Sequence, residues 1–189
     1  MNECLIRPAT SGDQRGAYDV CVKTGDYGRE GQPFYQDDPD ALGRVFVGPY
    51  LAFEPDLSLI LEDDLGVCGY AFGALDSHAF YARYEAEWRP DLCAHFPAPP
   101  GNSAEWRRAQ HMYHSYHHPD YFCPEPYESY PSHLHIDLLP RAQGRGYGRR
   151  MIEGSRTHCA LAVLPARILA SARSIPARLV SISTWASGN

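Results

Sequence analysis

LHIDLLPRAQGRGYGRR, residues Leu134 to Arg150, is the stretch on which the reading of this chain turns. Leu134, Ile136 and Leu138 alternate with His135 and Asp137, the period of a β-strand. Pro140 stops the strand, because it has no N–H to offer a ladder. Gln143, Gly144, Arg145, Gly146, Tyr147 and Gly148 follow. Glycines at alternate positions let the backbone turn tightly and bring its N–H groups against a ligand with no Cβ in the way. Tyr147, Met151 and Ile152 then fall at helical spacing, so a helix begins at the end of the glycine turn. A helix start presents unpaired N–H groups and the positive end of its dipole. Strand, turn and helix together therefore make a site for phosphate or pyrophosphate. Two phosphate-binding loops are excluded by spacing. A P-loop needs Lys and then Ser or Thr after its last glycine, and Gly148 is followed by Arg149 and Arg150. A dinucleotide turn needs G-x-G-x-x-G, and the glycines here run G-x-G-x-G.

Composition bounds what such a site can serve. A chain of 189 residues is one domain of ordinary size, with 44% hydrophobic residues to build a core. A net charge of −6 argues against nucleic acid and against anionic membranes, since both demand a basic face. No apolar run reaches the length of a membrane span, and MNECLIRPAT lacks a secretory pattern, so the expected location is cytoplasmic. Cys4, Cys21, Cys68, Cys93, Cys123 and Cys159 are scattered with no C-x-x-C pair, and read as buried thiols in a reducing compartment.

Outward from the central stretch, Leu5 to Arg7 forms a short strand ended by Pro8. Ser11 or Asp13 then caps a helix carrying Ala17, Val20 and Cys21. Gly25 to Tyr50 is irregular, with one helical turn after Pro39. It is longer than an ordinary connector, and Tyr27, Phe34, Tyr35 and Tyr50 are either an aromatic wall for a substrate or packing beneath the loop. Leu57 to Glu62 and Val67 to Leu75 form a hairpin turning at Asp63 to Gly66, with Gly69 and Gly73 marking a bend or a close backbone approach. Residues 77–132 are a helical insertion. Its first helix runs Ala79 to Leu92, and Ser103 caps a second that carries Trp106 and ends at Pro119 and Pro124. His111, His114, His117 and His118 cluster on that helix, but no Cys or carboxylate shares the run at a ligand spacing. No metal is expected.

Gln143, Gly146 and Gly148 after a strand ending in Leu-Leu-Pro resemble the Q/R-x-x-G-x-G/A signature of GNAT-superfamily acetyltransferases. GVCGYAFGALDSHAFY, the HHP of His117 to Pro119 and YPSHLHIDLLPRAQG narrow the resemblance. They are similar to the acetyltransferase-like domain associated with O-GlcNAc hydrolases and to its free-standing bacterial relatives, over about Leu5 to Ile152. The resemblance implies an α/β fold over residues 1–152: a mixed, mostly antiparallel central sheet flanked by helices. It implies acetyl-CoA as cosubstrate and an amine or peptide as acceptor. The pyrophosphate would lie in Gln143, Gly144, Arg145, Gly146, Tyr147, Gly148 and Arg149, with the pantetheine arm at Leu138 and Leu139. Backbone N–H groups near those two leucines would face the acetyl carbonyl.

Acetyl transfer needs a deprotonated amine, a polarised thioester carbonyl and a protonated leaving thiolate. Asp137 and His135 share a strand face just before the loop, and Asp76 ends the neighbouring strand. Either carboxylate is a candidate proton acceptor, and the resemblance points to the same two aspartates. The competing reading is that a strand-end Asp caps the next helix. Departure from the family begins after Ile152. The resemblance implies a further strand and an N-x-x-A-x-x-x-Y helix whose tyrosine protonates the thiolate. Residues 153–189 hold no tyrosine and only the terminal Asn189. Their Ala/Arg/Ser/Pro text, in a chain whose sole lysine is Lys23, reads as a frame-shifted or replaced segment. A divergent but genuine ending, with Leu161 to Val163 and Leu179 to Ser183 as strands, is the alternative. A replaced tail would expose apolar surface and favour self-association, of which a homodimer is the simplest form. Two functions follow: an acetyl-CoA-dependent N-acetyltransferase, or an inactive relative that binds coenzyme or peptide.

Overall fold

A computed structural model describes residues 3–119 and 131–158, and beyond them two strand segments, Ala166–Leu169 and Val180–Ser181. The expected tail strand at Leu161 to Val163, the stop at Pro124, Cys123 and Cys159 lie outside the described residues. Six strands form one sheet in sequence order: β1 (Leu5–Pro8), β2 (Ser58–Asp63), β3 (Gly66–Ala74), β4 (Ser132–Leu138), β5 (Ala166–Leu169) and β6 (Val180–Ser181). The pairs from β1 to β4 and the β5–β6 pair are antiparallel, and β4–β5 is parallel. This is the mixed, mostly antiparallel sheet expected from the sequence. The β2–β3 hairpin turns at Asp64 and Leu65, and the register slips between Leu61 and Glu62. A Cβ at Gly69 would collide with the Leu138 side chain, so this glycine marks the close approach of β3 to β4.

Helices cover both faces. On one lie α1 (Gln14–Lys23), α2 (Gly43–Phe46) and α3 (Gly48–Phe53); on the other lies α7 (Tyr147–His158). The alternation of β4 assigns the faces. Ile136 and Leu138 lie under α7 at Gly148, while His135 and Asp137 point to the α1–α2 side. The start of α1 is fixed by Asp13. Its carboxylate accepts the Thr10 backbone N–H at 2.7 Å and both terminal nitrogens of Arg7, which also reaches Glu62 at 2.7 Å. Helix entry and sheet edge are thus tied at one carboxylate.

The insertion comprises α4 (Ser77–Arg83), a π-helical turn (Tyr84–Trp88), α5 (Arg89–His95) and α6 (Arg108–His117). Its second helix departs from expectation. Asn102, not Ser103, caps a single 3-10 turn, and extended Trp106 and Arg107 separate that turn from α6. The insertion grips the segment before α3: Tyr116 donates to the Ala41 carbonyl at 2.6 Å, Tyr113 to Asp38 at 2.7 Å, and the Trp88 indole to the Arg44 carbonyl at 2.8 Å. That grip holds Phe46 over the centre of the sheet. Of the loop aromatics, Tyr35 and Tyr50 are buried in the core, whereas Tyr27 and Phe34 are exposed.

Candidate active site

Three side chains meet beneath α1 and α2. Tyr70 of β3 stands directly opposite Asp137 of β4, and Phe72 opposite His135. The Tyr70 hydroxyl donates to Asp137 Oδ2 at 2.6 Å, and His135 Nε2 lies 3.0 Å from the same oxygen. The other ring nitrogen, Nδ1, lies 2.9 Å from the Phe46 carbonyl. A carbonyl can only accept, so these partners assign a hydrogen to Nδ1. Burial, and then the Asp137 charge, hold Tyr70 well above its ordinary pKa, so its hydroxyl remains a donor. Only 8% of Asp137 is exposed.

The neighbouring histidine on the same face does something else. His133 Nδ1 lies 2.7 Å from Ser77 Oγ, and Nε2 lies 2.8 Å from the Tyr50 hydroxyl. The Ser77 hydroxyl donates to the Pro131 carbonyl, so His133 donates to Ser77 and accepts from Tyr50. Burial, reinforced by His135, pushes its pKa down to about 3, and the ring is neutral. His133 is a structural brace.

Asp76 falls elsewhere. It is exposed, and its Oδ1 accepts the Ala79 N–H at 3.0 Å as the N-cap of α4. In the β3–β4 register it faces Pro131, six residues from Asp137 along β4, which is about 20 Å at strand rise. The two aspartates do not share a site, and the helix-capping reading describes Asp76.

The glycine turn adopts the geometry its composition requires. Gly144 and Gly146 have φ of 70° and 77°, where a side chain is strained. The turn is braced from both ends. Gln143 donates its amide to the Leu138 carbonyl at 2.7 Å, and the Leu139 N–H donates to the Cys68 carbonyl at 2.8 Å. Helix α7 starts at Tyr147, as expected, so its first-turn N–H groups open at the glycines. Tyr147 itself is a core residue: its ring is buried and its hydroxyl accepts the Cys4 N–H at 2.9 Å. Arg145 folds back, its guanidinium 5.1 Å from the Tyr147 ring centre. Arg149 and Gly144 are exposed.

The strand end separates Leu138 from Leu139. Because the Leu139 N–H is spent on β3, it is not the donor to an acetyl carbonyl that the sequence suggested. Antiparallel alternation turns the Leu138 N–H the other way, towards β5. The paired register of β4 with β5 ends at His135 and Leu169, three residues earlier. Among the described residues no strand pairs with Leu138 on its β5 side, and its N–H lies one residue from Asp137 and five before Gln143.

No family model matches the sequence. Over 148 residues, 78% of this chain, it is 30% identical to Protein O-GlcNAcase of Rattus norvegicus and equally to that of Mus musculus. It spans only 16% of the length of those curated relatives. The crystal structure of SsHAT superposes with a TM-score of 0.73 at 32% identity, covering 88% of this chain and 82% of that one. The chain belongs to the GNAT superfamily. Gln143, Gly146 and Gly148 lie between the end of β4 and the first turn of α7, and Asp137 is the last residue but one of β4. Tyr70 went unseen in the sequence, because its bond to Asp137 spans 67 residues and exists only through the register. The histidines of α6 do not assemble with a third ligand among the described residues: His111 and His114 pack on Trp106, and His117 lies against the Phe96 carbonyl.

Proposed function

We propose that the chain transfers acetyl from acetyl-CoA to an amine by direct attack on the thioester. The observation carrying this reading is the placement of the Asp137–His135–Tyr70 cluster beside the Leu138 N–H and the glycine turn. The residues fit the coenzyme: positive-φ glycines and a helix start suit its pyrophosphate, and the end of β4 beyond its register with β5 suits its pantetheine arm. The coenzyme supplies the activated acetyl group. The Leu138 N–H polarises the carbonyl, and Asp137 takes a proton from the acceptor ammonium through Oδ1, so that the free amine attacks; the thioester C–S bond breaks and coenzyme A leaves as thiolate, protonated from solvent. Tyr70 and His135 hold the carboxylate on its Oδ2 side.

The acceptor is an amine on a small molecule or peptide, and the acidic net charge favours a cationic one. Among the described residues no helix is long and apolar enough to cross a membrane. A cytoplasmic protein acting as a monomer or homodimer is consistent with this reading. Thiol release from acetyl-CoA across a panel of amines tests it: release with at least one amine, lost in Asp137→Asn, is expected. A flat panel would instead favour the second reading, an inactive module that binds coenzyme. That reading draws on one observation: residues 153–189 contain no tyrosine to protonate the thiolate, and Tyr147 is committed to Cys4. We read those residues as a replaced closing segment.

A further inference from the structure

Below the glycine turn, on the far side of β3 from Asp137, lies a cluster that acetyl transfer does not use. Cys4 precedes β1, Asp63 ends β2, and Cys68 sits in β3 where the register slips, so that no β2 residue is its partner. Such a bulge re-aims one side chain. The two sulfurs and a carboxylate oxygen all lie within 4.8 Å of one another, the one group of three such ligands among the described residues. Both thiols are buried, while the Asp63 side chain keeps 13% exposure. Two guanidiniums attend it: Arg141 donates to both Asp63 oxygens, at 2.7 and 3.3 Å, and Arg145 reaches Cys4 Sγ at 3.8 Å.

We propose that Cys4, Cys68 and Asp63 bind a thiophilic divalent cation of the zinc type. Two thiolates and one carboxylate suit a borderline-soft d10 ion in a four-coordinate site, with water as fourth ligand on the Asp63 side. Magnesium and calcium are excluded by the sulfurs, since they take oxygen ligands. Binding of the two thiols as thiolates releases their protons, and the ion takes the place of Arg141 as the counter-charge of Asp63. The placement matters to the turn above. Cys4 holds Tyr147 through its N–H and Arg145 through its sulfur, and Cys68 holds Leu139 through its carbonyl. An ion here ties the segment before β1 to β2 and β3 under both ends of the glycine turn.

Cobalt(II) titrated into the reduced chain tests the site without reference to acetyl transfer. One equivalent should bind with the thiolate charge-transfer and visible bands of a tetrahedral centre, and zinc should displace it. Cys4→Ser and Cys68→Ser should each lose the charge-transfer intensity, while Cys21→Ser, another buried thiol, keeps it. Should the Cys68 variant unfold, Cys4→Ser decides, because that side chain precedes the first strand. Absence of the thiolate band in the unaltered chain, or its survival at full strength in folded Cys4→Ser, overturns the proposal.

Discussion

Asp137 owes its character to two side chains that reach it from different places. Tyr70 comes across the β3–β4 pair, and His135 from the same strand face, oriented by the Phe46 carbonyl. Asp137→Asn keeps the volume but removes the proton acceptor, so transfer should fall roughly 10²–10⁴-fold while coenzyme binding is retained. Tyr70→Phe removes one charge-assisted bond and should cost about 1.5–3 kcal/mol of stability, read by urea unfolding. An unchanged midpoint would mean that the hydroxyl is not engaged. His133 makes a prediction of a different sign. Its folded pKa is about 3 against an ordinary 6.5, so between those values the unfolded chain holds a proton that the folded one refuses. The stability contributed by the neutral ring is complete above pH 6.5 and falls as pH drops through the window, by about 1.4 kcal/mol per unit well inside it. His133→Gln should flatten that dependence between pH 7 and 5. Equal slopes in variant and parent would refute the buried neutral ring.

At the level of elements, strand β4, the turn and α7 were legible because each carries a strong local signal: period two, then glycines at forced φ, then helical spacing. The cap of α4 is equally local. Asp76→Ala should cost about 1 kcal/mol in thermal unfolding and leave acetyl transfer unchanged, since the residue serves the helix rather than Asp137. A large loss of transfer would return Asp76 to the site. Ser103 misled because a good capping residue was present one position after the actual cap, and nothing local in the sequence marks Trp106 as extended. The fate of the Leu139 N–H was not legible either. It depends on which residues of β3 and β4 exchange hydrogen bonds, a parity that the register decides. Tyr70 and the cysteine cluster share that cause: residues far apart in sequence are joined only through strand pairing.

On the scale of the whole molecule, a sheet with helices on both faces brings the groups proposed for acetyl transfer together towards the end of β4. The insertion contributes by holding Phe46 against His135, the route by which a segment outside the sheet reaches the site. The tail is a separate matter, raised by composition alone. If residues 153–189 were replaced by a shifted frame, the coding DNA read in another frame should contain an N-x-x-A-x-x-x-Y-like ending, and its absence from both alternative frames would defeat that idea. The central claim is that the glycine turn holds coenzyme. Gly146 has φ of 77°, so Gly146→Val strains the turn and places a branched side chain where phosphate would approach. Isothermal titration of coenzyme A should show binding to the unaltered chain, a moderate loss in Arg149→Ala, and a severe loss in Gly146→Val with the fold intact by circular dichroism. Equal affinity in all three, or no binding to the unaltered chain, would contradict the account.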